Sequence, residues 1–148
     1  MQYSEGRLGR VFILRLEEGE RLNDTIENFA REHKLSHGLA FFLGGSGDGS
    51  KVVVGPEANR ADIIPMIYAL QGSQEVLALG TLIPNESGVA VLHMHAAAGR
   101  EGKATVGCTR AGLEVWLIGE VVLLEILGTA AAQRQKDPAT GFQLLRID

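Results

Sequence analysis

Glu75-Val76-Leu77-Ala78-Leu79-Gly80-Thr81-Leu82-Ile83 begins the stretch whose reading decides the fold. It is followed by the apolar runs Val89–Ala97, Lys103–Thr109, Leu113–Ile118 and Val121–Leu127, separated by Pro84-Asn85, Gly99-Arg100-Glu101-Gly102, Ala111-Gly112 and Gly119-Glu120. Runs of β-forming residues bounded by Gly, Pro and Asn predict strands. Connections this short join antiparallel neighbours, because a parallel pair needs a long crossover.

Upstream, Arg10–Leu16 is rich in β-formers with charged ends, and Glu18-Gly19-Glu20 makes a turn. Asn23 or Asp24 is then expected to cap a helix running to about Lys34. Leu22, Ile26, Phe29, Ala30 and His33 fall at helical spacing and predict one buried face. Gly38 is expected to close that unit, with Leu39–Leu43 returning as a short strand. The glycine-rich stretch Gly44–Lys51 reads as a flexible turn before a strand at Val52–Val54. Ala61–Leu70 is ambiguous between helix and strand because Pro65 interrupts it. Asp137–Gly141 reads as a turn and Phe142–Ile147 as a last edge strand. One principal helix with a run of antiparallel strands predicts a single α+β domain, a mainly antiparallel, curved sheet packed against the helix.

Composition agrees with that class. The chain has 148 residues, 45% hydrophobic and 22% charged, the balance of a globular domain rather than a disordered one. Its formal charge of -4 gives no long-range attraction to phosphate backbones or anionic lipid, so direct DNA binding is disfavoured. A single cysteine excludes an internal disulfide. The first residues carry no basic segment followed by an apolar run, and no stretch approaches the roughly 20 apolar residues of a membrane helix. A cytoplasmic, soluble protein is the expectation.

The sharpest chemical feature is Leu92-His93-Met94-His95 followed by Gly107-Cys108. Residues two apart on a strand share a face, so His93 and His95 are expected to project together. With Arg100-Glu101 at the hairpin tip, Cys108 would lie directly opposite His93. Two imidazoles and a thiolate suit zinc or another divalent transition metal, with a fourth position left for water, a small ligand or a residue of another chain. The competing reading makes the histidines a polar face and Cys108 a small buried hydrophobe.

Other motifs fail on inspection. Gly44 and Gly49 have phosphate-loop spacing, but Ser50-Lys51 stands in the reverse order and a strand follows. Gly45-Ser46-Gly47 lacks the strand-turn-helix frame of a nucleophile elbow.

Several segments in order resemble the plants and prokaryotes conserved (PPC) domain. They are Glu18-Gly19-Glu20 leading into Ile26–Glu32, Glu75–Leu82, Leu92–Ala96, Gly107-Cys108 with Gly112, and Glu120–Ile126. The resemblance spans about residues 8–127 and leaves 128–148 as a C-terminal extension of one domain. It implies a stand-alone α+β domain, usually a homotrimer, in which histidines of this strand and a following Gly-His can form a metal site. His93 and His95 match, and Cys108 replaces the third histidine. Plant members follow AT-hook segments, and bacterial members are therefore often labelled DNA-binding. This chain has no Arg-Gly-Arg-Pro hook, and the plant Gly-Arg-Phe-Glu-Ile-Leu motif stands here as Gly72-Ser73-Gln74-Glu75-Val76-Leu77.

Three functions compete at this level. The first is an oligomeric module holding a metal or small ligand at His93, His95 and Cys108. The second is a metal-dependent hydrolase or lyase, for which Glu120 is the candidate acid or base. The third is a transcription-regulatory protein, which the charge makes the weakest.

Overall fold

The computed structural model describes residues 1–57 and 63–147. Its elements are β1 (Arg7–Glu17), α1 (Leu22–Glu32), β2 (Gly38–Ser46), β3 (Lys51–Pro56), β4 (Pro65–Ala69), β5 (Gln74–Pro84) and β6 (Ala90–Arg100). They continue with β7 (Lys103–Cys108), a 3-10 turn (Thr109–Ala111), β8 (Val115–Leu127), β9 (Ala132–Lys136) and β10 (Gln143–Ile147). Eight strands form one sheet in the order β1-β8-β2-β5-β6-β7-β3-β4, every pairing antiparallel. The α+β, mainly antiparallel reading with one principal helix is therefore what the chain adopts.

The helix lies against one face of this sheet. Leu22, Ile26 and Ala30, each four residues from the last, are fully buried among Phe42, Leu82 and Met94. Phe29 and His33 extend the stripe, their rings stacked with centroids 4.1 Å apart, though His33 stays exposed. The expected caps are not used. Arg21 occupies the N-cap without a side-chain bond, and the Leu22 N–H donates instead to the Leu113 carbonyl. Asn23 is engaged elsewhere, as described below, and Asp24 faces Arg21 at 3.5 Å. Lys34, with φ 55°, ends the helix in the left-handed region, while Gly38 already belongs to β2.

Other boundaries also differ from expectation. β2 runs through Gly44 and Gly45 to Ser46, so only residues 47–50 turn. Backbone bonds from Gly47 to Glu114 and from Gly49 to Leu70 pin that turn to its neighbours. Gly119-Glu120 breaks nothing: β8 is continuous, and a bulge with Leu117 at φ 60° absorbs the irregularity. A Cβ on Gly119 would sit 2.5 Å from the Phe42 ring, so the glycine makes room for a core aromatic rather than a turn. Of the ambiguous stretch, residues 61–62 lie outside the described residues, and Pro65 opens the edge strand β4, where its missing N–H costs no ladder bond.

The end of the chain does not extend the main sheet. β9 and β10 form a separate hairpin around the Asp137–Gly141 turn. A bridge between Asn85 and Arg134 and a bond from Arg134 Nη2 to Thr81 Oγ1 (2.9 Å) hold it to β5. No helix is long and apolar enough to cross a membrane among the described residues.

Candidate metal centre

β6 buries Leu92, Met94, Ala96 and Ala98 against the core, so its odd-numbered residues, including His93 and His95, face away from it. The hairpin to β7 turns at Glu101-Gly102, one residue later than expected. Both residues adopt positive φ (53° and 75°), the backbone of a two-residue turn whose twist suits a hairpin. Cys108 consequently pairs with His95, not His93. The register moves by two in pairing and so preserves parity, which keeps all three side chains on one face.

They meet there. One ligand atom from each of His93, His95 and Cys108 lies within 4.8 Å of the other two. The two imidazoles pack edge to face with centroids 5.0 Å apart, and their Nε2 atoms are separated by 3.2 Å. Two imidazole nitrogens on a tetrahedral zinc sit about 3.3 Å apart, so this pair already has the required bite. Cys108 is buried at 4% exposure, and the histidines open to solvent.

The place is defined by an unfinished ladder. β7 stops at Cys108 while β6 continues back to Ala90, leaving the Leu92 backbone without a strand on that side. Side chains of α1 close the gap. The Leu92 N–H donates to Glu27 Oε1 at 2.8 Å, and its carbonyl accepts from Asn23 Nδ2 at 3.3 Å. Thr109 Oγ1 donates to Asn23 Oδ1 at 2.6 Å and lies 3.2 Å from the Met94 carbonyl. The helix, the ragged edge and the C-terminal hairpin together enclose a cavity of about 650 Å³. A second cavity of about 290 Å³ adjoins it, and His95, Cys108, Arg110 and Phe142 line both.

Electrostatics favours the neutral imidazole. Although its ring reaches solvent, crowding by surrounding atoms lowers the His93 pKa, and the charges of Arg134, His95 and Arg110 lower it further. Neutral imidazole is the form that ligates metal. Burial raises the pKa of Glu27 from its ordinary value, against the pull of the Leu92 N–H. Burial likewise lowers that of Arg134, with Cys108 opposing.

Glu120 is not part of the site. It lies on β8, three strands from β6 in the sheet order, or about 14 Å at ordinary strand spacing. The carboxylates that line the cavity are Asp24 and Glu27 of α1. Sequence reading missed Glu27, Arg110, Arg134 and Phe142. Only the helical phase of Glu27, one residue past buried Ile26, could have hinted at its partly covered position.

The sequence pattern of the Plants and Prokaryotes Conserved (PCC, also PPC) domain matches residues 3–127. The chain belongs to that family. Over 141 residues this PCC domain is 36% identical to the bifunctional protein GlmU of Synechococcus sp. (strain JA-3-3Ab). The match covers 94% of the chain but 21% of that protein, so the chain spans about a fifth of the length of the curated relative it matches. In structure it is similar to a metal-containing protein from Archaeoglobus fulgidus, with a TM-score of 0.82 and 25% identity over 98% of this chain and 99% of that one. A PPC protein from Pyrococcus horikoshii superimposes with a TM-score of 0.80 at 24% identity, covering 100% of this chain and 97% of the other, a likeness of fold. Within this PCC domain the histidines and Cys108 fall inside the matched residues, whereas Arg134 and Phe142 belong to the C-terminal hairpin beyond them.

Proposed function

We propose that this PCC domain is an oligomeric binding module in which His93, His95 and Cys108 hold zinc or another divalent transition ion. The observation that carries the reading is the convergence of three ligand atoms within 4.8 Å on one sheet face. The donor set supports it chemically, since two nitrogens and one sulfur satisfy borderline ions. The metal-containing relative from Archaeoglobus fulgidus supports it by similarity. Three protein ligands leave one coordination position facing the cavity for a small molecule.

Assembly as a homotrimer is part of the proposal. The sheet face away from the helix carries Ile13, Phe41, Leu43, Leu77, Leu79 and Val122, with Ile13 81% and Leu77 60% exposed. The strand pairings put them side by side: Ile13 beside Val122, Phe41 and Leu79 in one row, and Leu43 beside Leu77 in the next. An apolar face this continuous gains by burial against further copies of the chain.

A metal-dependent hydrolase or lyase is the second reading, favoured by one observation: Glu27, with a raised pKa, lines the cavity that holds His93. A carboxyl group of that kind suits proton transfer. Calorimetric titration of metal-free protein with zinc tests the main reading. Saturable binding that His93→Ala abolishes supports it. Absence of a binding isotherm with the folded wild type overturns it.

A further inference from the structure

We infer that the cavity beside His93 takes a small organic oxyanion, its charged head between Arg134 and Arg110 and its apolar body along Phe142 and Leu144. The inference rests on the metal reading above and names the ligand class of that site.

Arg134 motivates it. This side chain is 6% exposed and lines the cavity. One nitrogen donates to Thr81, while its Nε is buried with no partner. Among the described residues no carboxylate forms an ion pair with it. A buried guanidinium without a counter-charge is costly unless something supplies one. Arg110 reaches the same space, its guanidinium 5.6 Å from the Phe142 ring centroid, and it too has no carboxylate partner among the described residues.

The carboxylates that line this cavity among the described residues are committed. Asp24 faces Arg21, and Glu27 accepts the Leu92 N–H. Cys108 lines the same cavity, but in the proposed centre its sulfur is taken up as a ligand of the divalent ion. With one thiolate and two neutral imidazoles as ligands, a divalent ion keeps one positive charge, so metal binding leaves a net positive centre beside two guanidiniums. An oxyanion restores the balance, and arginine forks match its geometry.

The body of the ligand follows from the walls. Val91, Leu92, Phe142 and Leu144 bring apolar surface to a cavity of about 650 Å³, a volume suited to a small molecule with a hydrocarbon or aryl portion. Inorganic phosphate would leave these walls wet. Three of the residues invoked, Arg134, Phe142 and Leu144, lie beyond residues 3–127 that match the family pattern, so the selectivity belongs to the C-terminal hairpin.

The test uses cobalt-loaded full-length protein whose metal content is measured on the same sample. Benzoate is the probe, followed by calorimetry and by the visible bands of the cobalt ion. Saturable binding with a spectral change is expected, about ten-fold weaker in Arg134→Gln and in Arg110→Ala at unchanged metal content. Arg110 is exposed, so R110A decides the matter if R134Q does not fold. Fully loaded wild type giving neither heat nor spectral change overturns the oxyanion site while the metal reading stands. Variants binding like wild type also overturn it, and phosphate binding as tightly as benzoate overturns the organic body. A wild type that takes up no metal is detected before benzoate is added, and it removes both readings together.

Discussion

Across β6 and β7, His95 sits directly opposite Cys108, and its Nε2 lies 3.2 Å from that of His93. A nearest-neighbour strand pair and a same-face pair thus share one residue. This is the minimum that three ligands need to converge without a helix or long loop.

In the proposed metal centre Cys108 supplies the sulfur ligand, and its removal has a spectroscopic signature. In cobalt-loaded protein a near-ultraviolet sulfur-to-metal band is expected in the wild type and absent in Cys108→Ser. Metal affinity should fall by about a hundred-fold or more, beyond the roughly 10–100-fold that loss of an outer hydrogen-bonding partner costs. An unchanged spectrum would return Cys108 to the role of a buried hydrophobe.

Glu125 is expected to contribute to acid stability. Its carboxylate accepts from Arg10 Nη2 at 2.7 Å, from Nε at 2.8 Å and from the backbone N–H at 3.0 Å. These bonds hold its pKa at about 2, against an ordinary value of 4.5. A depressed carboxylate pKa stabilises the fold above the unfolded value, so the contribution is present above about pH 4.5 and is lost as pH falls toward 2. The guanidinium is half exposed, which weakens the pair, so Glu125→Gln should cost about 1–2 kcal/mol at pH 7. Urea denaturation at pH 7 and pH 3 should show the two proteins converging in acid.

Thr109 ties the ragged edge of β6 to the helix. Thr109→Val removes the donor to Asn23 and leaves buried polar atoms without their partner, a loss of about 1–3 kcal/mol by thermal or chemical denaturation. Metal affinity should weaken in parallel, because Asn23 and Leu92 flank His93.

The apolar sheet face is tested by charge. Leu77 pairs with Leu43 on one side and Ala97 on the other. If the proposed trimer forms through this face, Leu77→Glu should convert it to monomers by light scattering after size exclusion, while circular dichroism stays that of the wild type. An oligomer that survives the change would place the interface elsewhere.

What could be read beforehand divides along a physical line. Alternation and turn residues made the strands of Glu75–Leu127 and the shared face of His93 and His95 legible, because both depend on local periodicity. The exact partner of Cys108 was missed because Gly99 and Gly102 offer rival turns, and only Gly102 follows a residue held at positive φ. Glu120 looked like a candidate until strand order set β8 beside β1 and β2, which is long-range information. Arg134 carries no local signal at all. Its burial comes from the docking of the C-terminal hairpin through Asn85 and Thr81, a tertiary event about 50 residues away along the chain.

Elemental analysis tests the central claim most directly, on protein purified without a metal-affinity tag and compared with His93→Ala and Cys108→Ala. About one transition-metal ion per chain in the wild type and none in either variant is the predicted result. A folded wild type that holds no metal, even after reconstitution with zinc, would contradict the account and leave His93 and His95 as a polar face.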